Sequence, residues 1–226
     1  MSQSATRPGG ARSTRAGFAT LLGGALLAAP LIGVAAPASA AVDGSAVVIN
    51  EVYLNGGSAG ATFTHKFVEL YNPTDAAVPL DGMSIQYRSA SGSADPTGVQ
   101  ALTGTIAAGG YYLVQGTSNA SNGAALPTPD ATFNASFAGA GGTIFLADQT
   151  TALTAPATGS LVGDDAIVDL LGYGTSNTFE GTAATAASVS TSLSRTDAAD
   201  TDVNSADFVA GAPSPTNAAG TTPEEP

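Results

Sequence analysis

Residues 46–74 read AVVINEVYLNGGSAGATFTHKFVELYNPT. Two apolar runs, Val47 to Tyr53 and Phe67 to Tyr71, are rich in β-branched and aromatic residues and are bounded by Gly, Ser, Asn and Pro, which predicts two paired strands around a flexible loop at 55–64. Successive strand residues face opposite ways, so Val68 and Leu70 share one face and Glu69 takes the other. Pro73 has no N–H to give to a ladder and stops the second strand.

Working outward, Asp81-Gly82 is a turn signal before a third strand at Met83–Tyr87. Further strands are expected at Leu102–Ile106, Tyr111–Val114, Thr143–Leu146, Ala166–Tyr173 and Ser188–Arg195. Residues 88–98, 115–132 and 147–166 read as loops, Phe133 to Phe137 as a core contact, and Phe208 with Val209 as the last one. Short strands at fairly regular spacing, with almost no helical period, predict an all-β sandwich or barrel. A parallel β-helix fits less well, because no repeat of fixed period is visible.

The N-terminus has Arg7, Arg12 and Arg15, an apolar stretch from Ala16 to Ala36, and Ala38-Ser39-Ala40. That order is a secretory signal peptide over residues 1–40, and Pro30 and the glycines argue against a membrane anchor. Cleavage leaves about 186 residues, enough for one domain with a proper core. The expected mature chain has no membrane span and is released. It holds Lys66, Arg88 and Arg195 against 18 carboxylates, a formal charge of −15. Nucleic-acid binding needs cations to displace phosphate counterions, so this domain is not expected to bind nucleic acid; a basic partner or a cation is compatible. The absence of Cys excludes disulfides, thiolate metal sites and a cysteine nucleophile.

INEV at 49–52, FVELYN at 67–72, VPLDGMSI at 78–85, GTIAAGGYYLV at 104–114 and VDLLGYG at 168–174 occur in the order of a known family. The chain resembles the lamin tail domain, closest to bacterial exported versions, which share a segment like SLSRTDAADTDVNSADFVAGAPSPTN at 192–217. The resemblance covers residues 46–217. It implies an immunoglobulin-like β-sandwich with no catalytic residues of its own. The domain is expected at 41–217, and composition beyond Pro213 and Pro215 predicts a disordered, linker-like tail at 218–226. Two departures stand out: Met83 replaces the usual Trp, and 147–166 is an insertion relative to the compact nuclear version.

Among sites, Gly56-Gly57-Ser58-Ala59-Gly60 matches a nucleophile-elbow pattern, with His65 as the only histidine, but the strand-to-helix context that pattern needs is missing. Glu51 and Glu69 lie on neighbouring strands as a carboxylate pair, yet no Trp offers a sugar platform. No catalytic residue is therefore assigned. Asp197, Asp200, Asp202, Asn204 and Asp207 have part of the alternate spacing of a calcium loop, although Ser205 and Gly211 stand where that motif has Gly and Glu. Calcium is the one cofactor the sequence allows for; otherwise none is expected. The functional expectation is a secreted, monomeric, non-catalytic binding module whose partner is a protein or a cell-surface glycan. The alternatives are an accessory domain of a secreted nuclease or phosphatase system, and an inert spacer.

Overall fold

A computed structural model describes residues 46–223; the segment assigned as signal peptide and residues 224–226 lie outside it. In chain order the elements are β1 (Val48–Tyr53), β2 (Phe67–Tyr71), β3 (Val78–Pro79), β4 (Ser84–Ser89), β5 (Gly98–Ala101), β6 (Thr105–Ile106) and β7 (Tyr111–Gln115). There follow β8 (Ala131–Thr132), β9 (Gly141–Ala147), β10 (Gly159–Ser160), β11 (Ile167–Gly174), β12 (Thr178–Phe179), β13 (Ser192–Arg195), α1 (Asn204–Asp207) and β14 (Phe208–Gly211).

Two main sheets form an immunoglobulin-like β-sandwich. The first runs β14-β13-β1-β2-β7-β8 and the second β11-β9-β4-β5, with two small pairs, β3 with β6 and β10 with β12. β1 and β2 pair antiparallel with Val52 opposite Val68, Glu51 opposite Glu69 and Ile49 opposite Leu70, so Asn50 is an extra residue on β1. A matching register shift falls on β11 between Ile167 and Asp169. Such bulges bend a strand and re-aim its side chains.

Alternation then sorts the side chains. Val52, Val68, Leu70, Val114, Ile85, Ile144, Leu146 and Leu171 fill the layer between the sheets. Met83 is buried there too, and the large anchor is aromatic: Phe133 stacks on Phe137 at 4.9 Å and Tyr87 meets Phe137 edge-on at 5.5 Å. Both outer faces are also covered. On the second sheet, Phe145 and Ala147 pack with Leu153, Ile167 and Leu170 beneath the segment after β9. On the first, Tyr53, Phe67 and Leu113 pack with Phe63 under the 55–64 loop.

Several expectations change. Residues 98–101, which join the expected loop at 88–98 to the expected strand at 102–106, pair with β4 as β5, and only Thr105–Ile106 of that expected strand is extended in a ladder. β14 pairs with β13, so its alternation buries Phe208 and leaves Val209 54% exposed, against its expected core role. The tail expected to be disordered from 218 is structured as far as Thr221. Asn217 Nδ2 donates to the Thr128 carbonyl, the Ala218 N–H donates to Asp130, and the Thr221 N–H donates back to Asn217 Oδ1.

Candidate functional site

At the end of β13, Arg195 turns inward and lies under the Phe208 ring, 4.5 Å from its centroid. Its Nη2 donates to both oxygens of Asp169 on β11, at 2.8 and 2.6 Å. Nη1 donates to Asp200 Oδ1 at 3.2 Å, to Asp207 Oδ2 at 3.4 Å and to the Ala199 carbonyl at 3.1 Å, while Nε donates to the Ile49 carbonyl at 2.9 Å. The Ile49 N–H in turn donates to Asp169 Oδ2 at 2.6 Å. The two bulges thus place a buried ion pair across the sandwich, with Ile49 on one sheet and Asp169 on the other.

Asn204 closes the site from below. Its Oδ1 accepts the N–H groups of Gly172 and Glu180, and its Nδ2 donates to the Leu170 carbonyl and to Glu180 Oε2, all between 2.8 and 3.0 Å. Every donor and acceptor of that amide is used. Asp207 also accepts from the Thr201 N–H at 3.1 Å and from the Thr201 hydroxyl.

The five residues predicted as calcium ligands are not gathered round one point. Asp200 and Asp207 converge, but on Arg195; Asn204 is spent on strand backbone; Asp202 is half-buried and turned by a left-handed φ of 55°; Asp197 is exposed. One carboxylate oxygen each from Asp169, Glu180 and Asp200 lies within 4.8 Å of the others, all buried. That trio falls short of the six to eight oxygens calcium takes, and a guanidinium already contacts two of its members. Burial pushes Glu180 up to about 10, with the charges of Asp169 and Asp200 adding to it, so it carries a proton at neutral pH. Burial also raises Asp169, to about 6, against the pull of Arg195. For Arg195 burial works downward, but the three aspartates more than offset it and the net direction is up.

Arg195, Asp169 and Glu180 were missing from the predicted set. Asp169 had a signal, a lone charge inside the apolar AIVDLLGY, and so did Arg195, one of three bases facing 18 acids. Glu180, in a small polar stretch, had none.

Glu51 and Glu69 are cross-strand partners on the outer face of the first sheet, and both are buried. Glu51 accepts from the Ser192 hydroxyl and the Ser214 N–H, and Glu69 from Asn50 Nδ2 and the Thr216 N–H. Burial raises both, Glu69 to about 7 with the Glu51 charge adding to the shift. The segment 213–216 seals them, leaving no cleft for a sugar between them. Ser58 Oγ accepts from Asn119 Nδ2 at 2.9 Å instead of facing a base. The glycines beside it serve close approach: a Cβ on Gly57, at φ 79°, would fall 2.1 Å from the Ala120 carbonyl oxygen.

A family model, the Lamin Tail Domain, matches residues 40–175, more than half of the chain. The chain belongs to the lamin tail domain family. The family is one of non-catalytic immunoglobulin-like domains, in keeping with the sandwich seen here. The match ends at Thr175, so Asp169 lies inside it while Glu180, Arg195, Asp200 and Asn204 lie beyond it. No curated protein matches the chain. In this lamin tail domain the segment past the match is built into the fold, since β13 pairs with β1 and β14 with β13.

Proposed function

We propose that this lamin tail domain is a secreted, non-catalytic interaction module that needs no metal or cofactor. One observation carries the reading: among the described residues the buried charged groups are engaged with the chain's own polar groups or with each other, so none of them is left poised over an open cleft. Arg195 is held by three aspartates, Glu51 and Glu69 by the 213–216 segment, and Lys66 by Ser136 Oγ and the Phe137 carbonyl. A catalytic acid or base must instead reach a substrate proton. The three basic side chains of the described residues are all buried, whereas seven acids, among them Asp75, Asp81, Asp95, Asp164 and Asp165, are exposed. Such a surface favours cationic partners over phosphate backbones.

The test is expression of the full chain in an exporting host. The supernatant should contain a protein starting at Ala41 that shows saturable retention on the producing cells. It should turn over phosphodiester, phosphomonoester and glycoside reporters no faster than a host control. Retention inside the cell, or turnover that follows the purified protein, would overturn the reading; export with neither retention nor turnover would leave a spacer.

A further inference from the structure

Between the segments 149–156 and 161–166, on the outside of the second sheet, lies a groove of about 240 Å³ lined by Gln149, Leu153, Thr154, Pro156, Asp164 and Ala166. Its floor belongs to a hydrophobic cluster, since Leu153 is buried against Phe145 and Leu170 and Ala166 packs on the same group. One wall is held firmly. Ser84 Oγ donates to the Gln149 carbonyl, Gln86 Nε2 to the Thr151 carbonyl and Arg88 Nη1 to the Pro156 carbonyl, while the Leu153 N–H donates to Gln86 Oε1.

Beside the Thr154 hydroxyl, the groove offers two free acceptors. Asp164 Oδ1 accepts the Ala166 N–H at 3.0 Å, and its other oxygen, on an exposed residue, receives no hydrogen bond from the described residues. Gln149 uses its Nε2 on the carbonyls of Thr151 and Ala152, and its Oε1 receives no hydrogen bond from the described residues. Asp165 and Val162, close in sequence to the lining residue Asp164, are both exposed. No exposed lysine or arginine exists among the described residues to neutralise Asp164, and the one cation behind the wall, Arg88, is buried with its guanidinium on the Pro156 and Ala157 carbonyls.

An apolar floor with an unpaired carboxylate at the rim matches a flexible aliphatic stem ending in a cation. The volume is below the roughly 300–1,000 Å³ of small-molecule sites and suits one inserted side chain. We infer that this groove receives a lysine or arginine side chain from a basic segment of a partner protein. The inference rests on the interaction-module reading and names the chemistry of its partner.

The test titrates the isotope-labelled full chain with a blocked tetrapeptide of alternating lysine and alanine, followed by amide chemical shifts. The expected result is saturable shifts confined to residues 149–166, weakening several-fold as salt rises to a level where the Debye length is about 8 Å. Asp164→Asn keeps the acceptor for the Ala166 N–H and removes the charge; it should reduce the affinity at least severalfold at unchanged Tm. Shifts of equal size in the variant, shifts scattered over the surface, or the same response to a glutamate-alanine tetrapeptide would overturn the inference. Retention on cells that persists in Asp164→Asn would sink this site alone, while loss of retention by the unmodified protein would sink the parent reading.

Discussion

The two outer faces of the sandwich are each strapped by a returning segment, with opposite chemistry. On the first sheet, the carboxylates of Glu51 and Glu69 accept backbone N–H groups from Ser214 and Thr216. On the second, the alternate β4 residues Ser84, Gln86 and Arg88 donate to the carbonyls of Gln149, Thr151, Pro156 and Ala157. A strap held by carboxylates is titratable, and one held by amide, hydroxyl and guanidinium donors is not. The two buried arginines differ in the same sense: Arg195 has three acidic partners, whereas Arg88 has none, leans on Phe145 at 5.6 Å and leaves its Nε without a hydrogen bond.

The largest effect should come from Arg195→Met. It strips the cation from three buried aspartates, and breaking a buried pair costs about 3–5 kcal/mol, a fall in Tm of roughly 10 °C or more for a domain of this size. Thermal unfolding checks this. Arg88→Met should cost less, about 2 kcal/mol, because it takes a buried donor from the Pro156 and Ala157 carbonyls but uncovers no charge, and the Thr178 hydroxyl keeps its bonds to Ala157 and Asn177. Its local signature is faster hydrogen exchange at 149–158 with the first sheet unaffected.

The pH response separates the two faces further. Glu69 and Glu180 hold protons more tightly folded than unfolded, so the stability they contribute is fully present below about pH 4.5 and is lost as pH rises through about 7 for Glu69 and about 10 for Glu180. Denaturant midpoints should therefore fall from mildly acidic to alkaline pH. Glu180→Gln, which keeps an acceptor for Asn204 Nδ2, should flatten the alkaline part, and Glu69→Gln the part between about pH 4.5 and 7. The smallest effect should be that of calcium. A structural site at 100 times its Kd would add about 2.7 kcal/mol; with Arg195 already among the aspartates, the Tm should stay where it is. A rise abolished by Asp200→Asn would return the acidic segment to the role its spacing first implied.

The paired strands at 48–53 and 67–71 were legible because alternation and breakers mark them, and the family motifs carried the sandwich. β5 was not, because GVQA follows a Gly- and Pro-rich stretch and is extended only through its ladder with β4. The run TIFLA at 143–147 held an unused clue: both of its faces are apolar, which requires cover on the outside as well as a core within. The acidic segment was found but misassigned. Spacing showed that Asp200 and Asp207 belong together, but only the tertiary fold brings Arg195 between them and Asp169 across from β11, a separation of 26 residues.

With Lys66, Arg88 and Arg195 all inside, the described domain offers trypsin no bond it can reach while folded. Each potential cut follows a residue anchored by its own hydrogen bonds, so cleavage must wait for opening of the structure. A module of this kind would persist among trypsin-like proteases for as long as it stays folded, and the rate at which it is nicked becomes a direct clock for its unfolding.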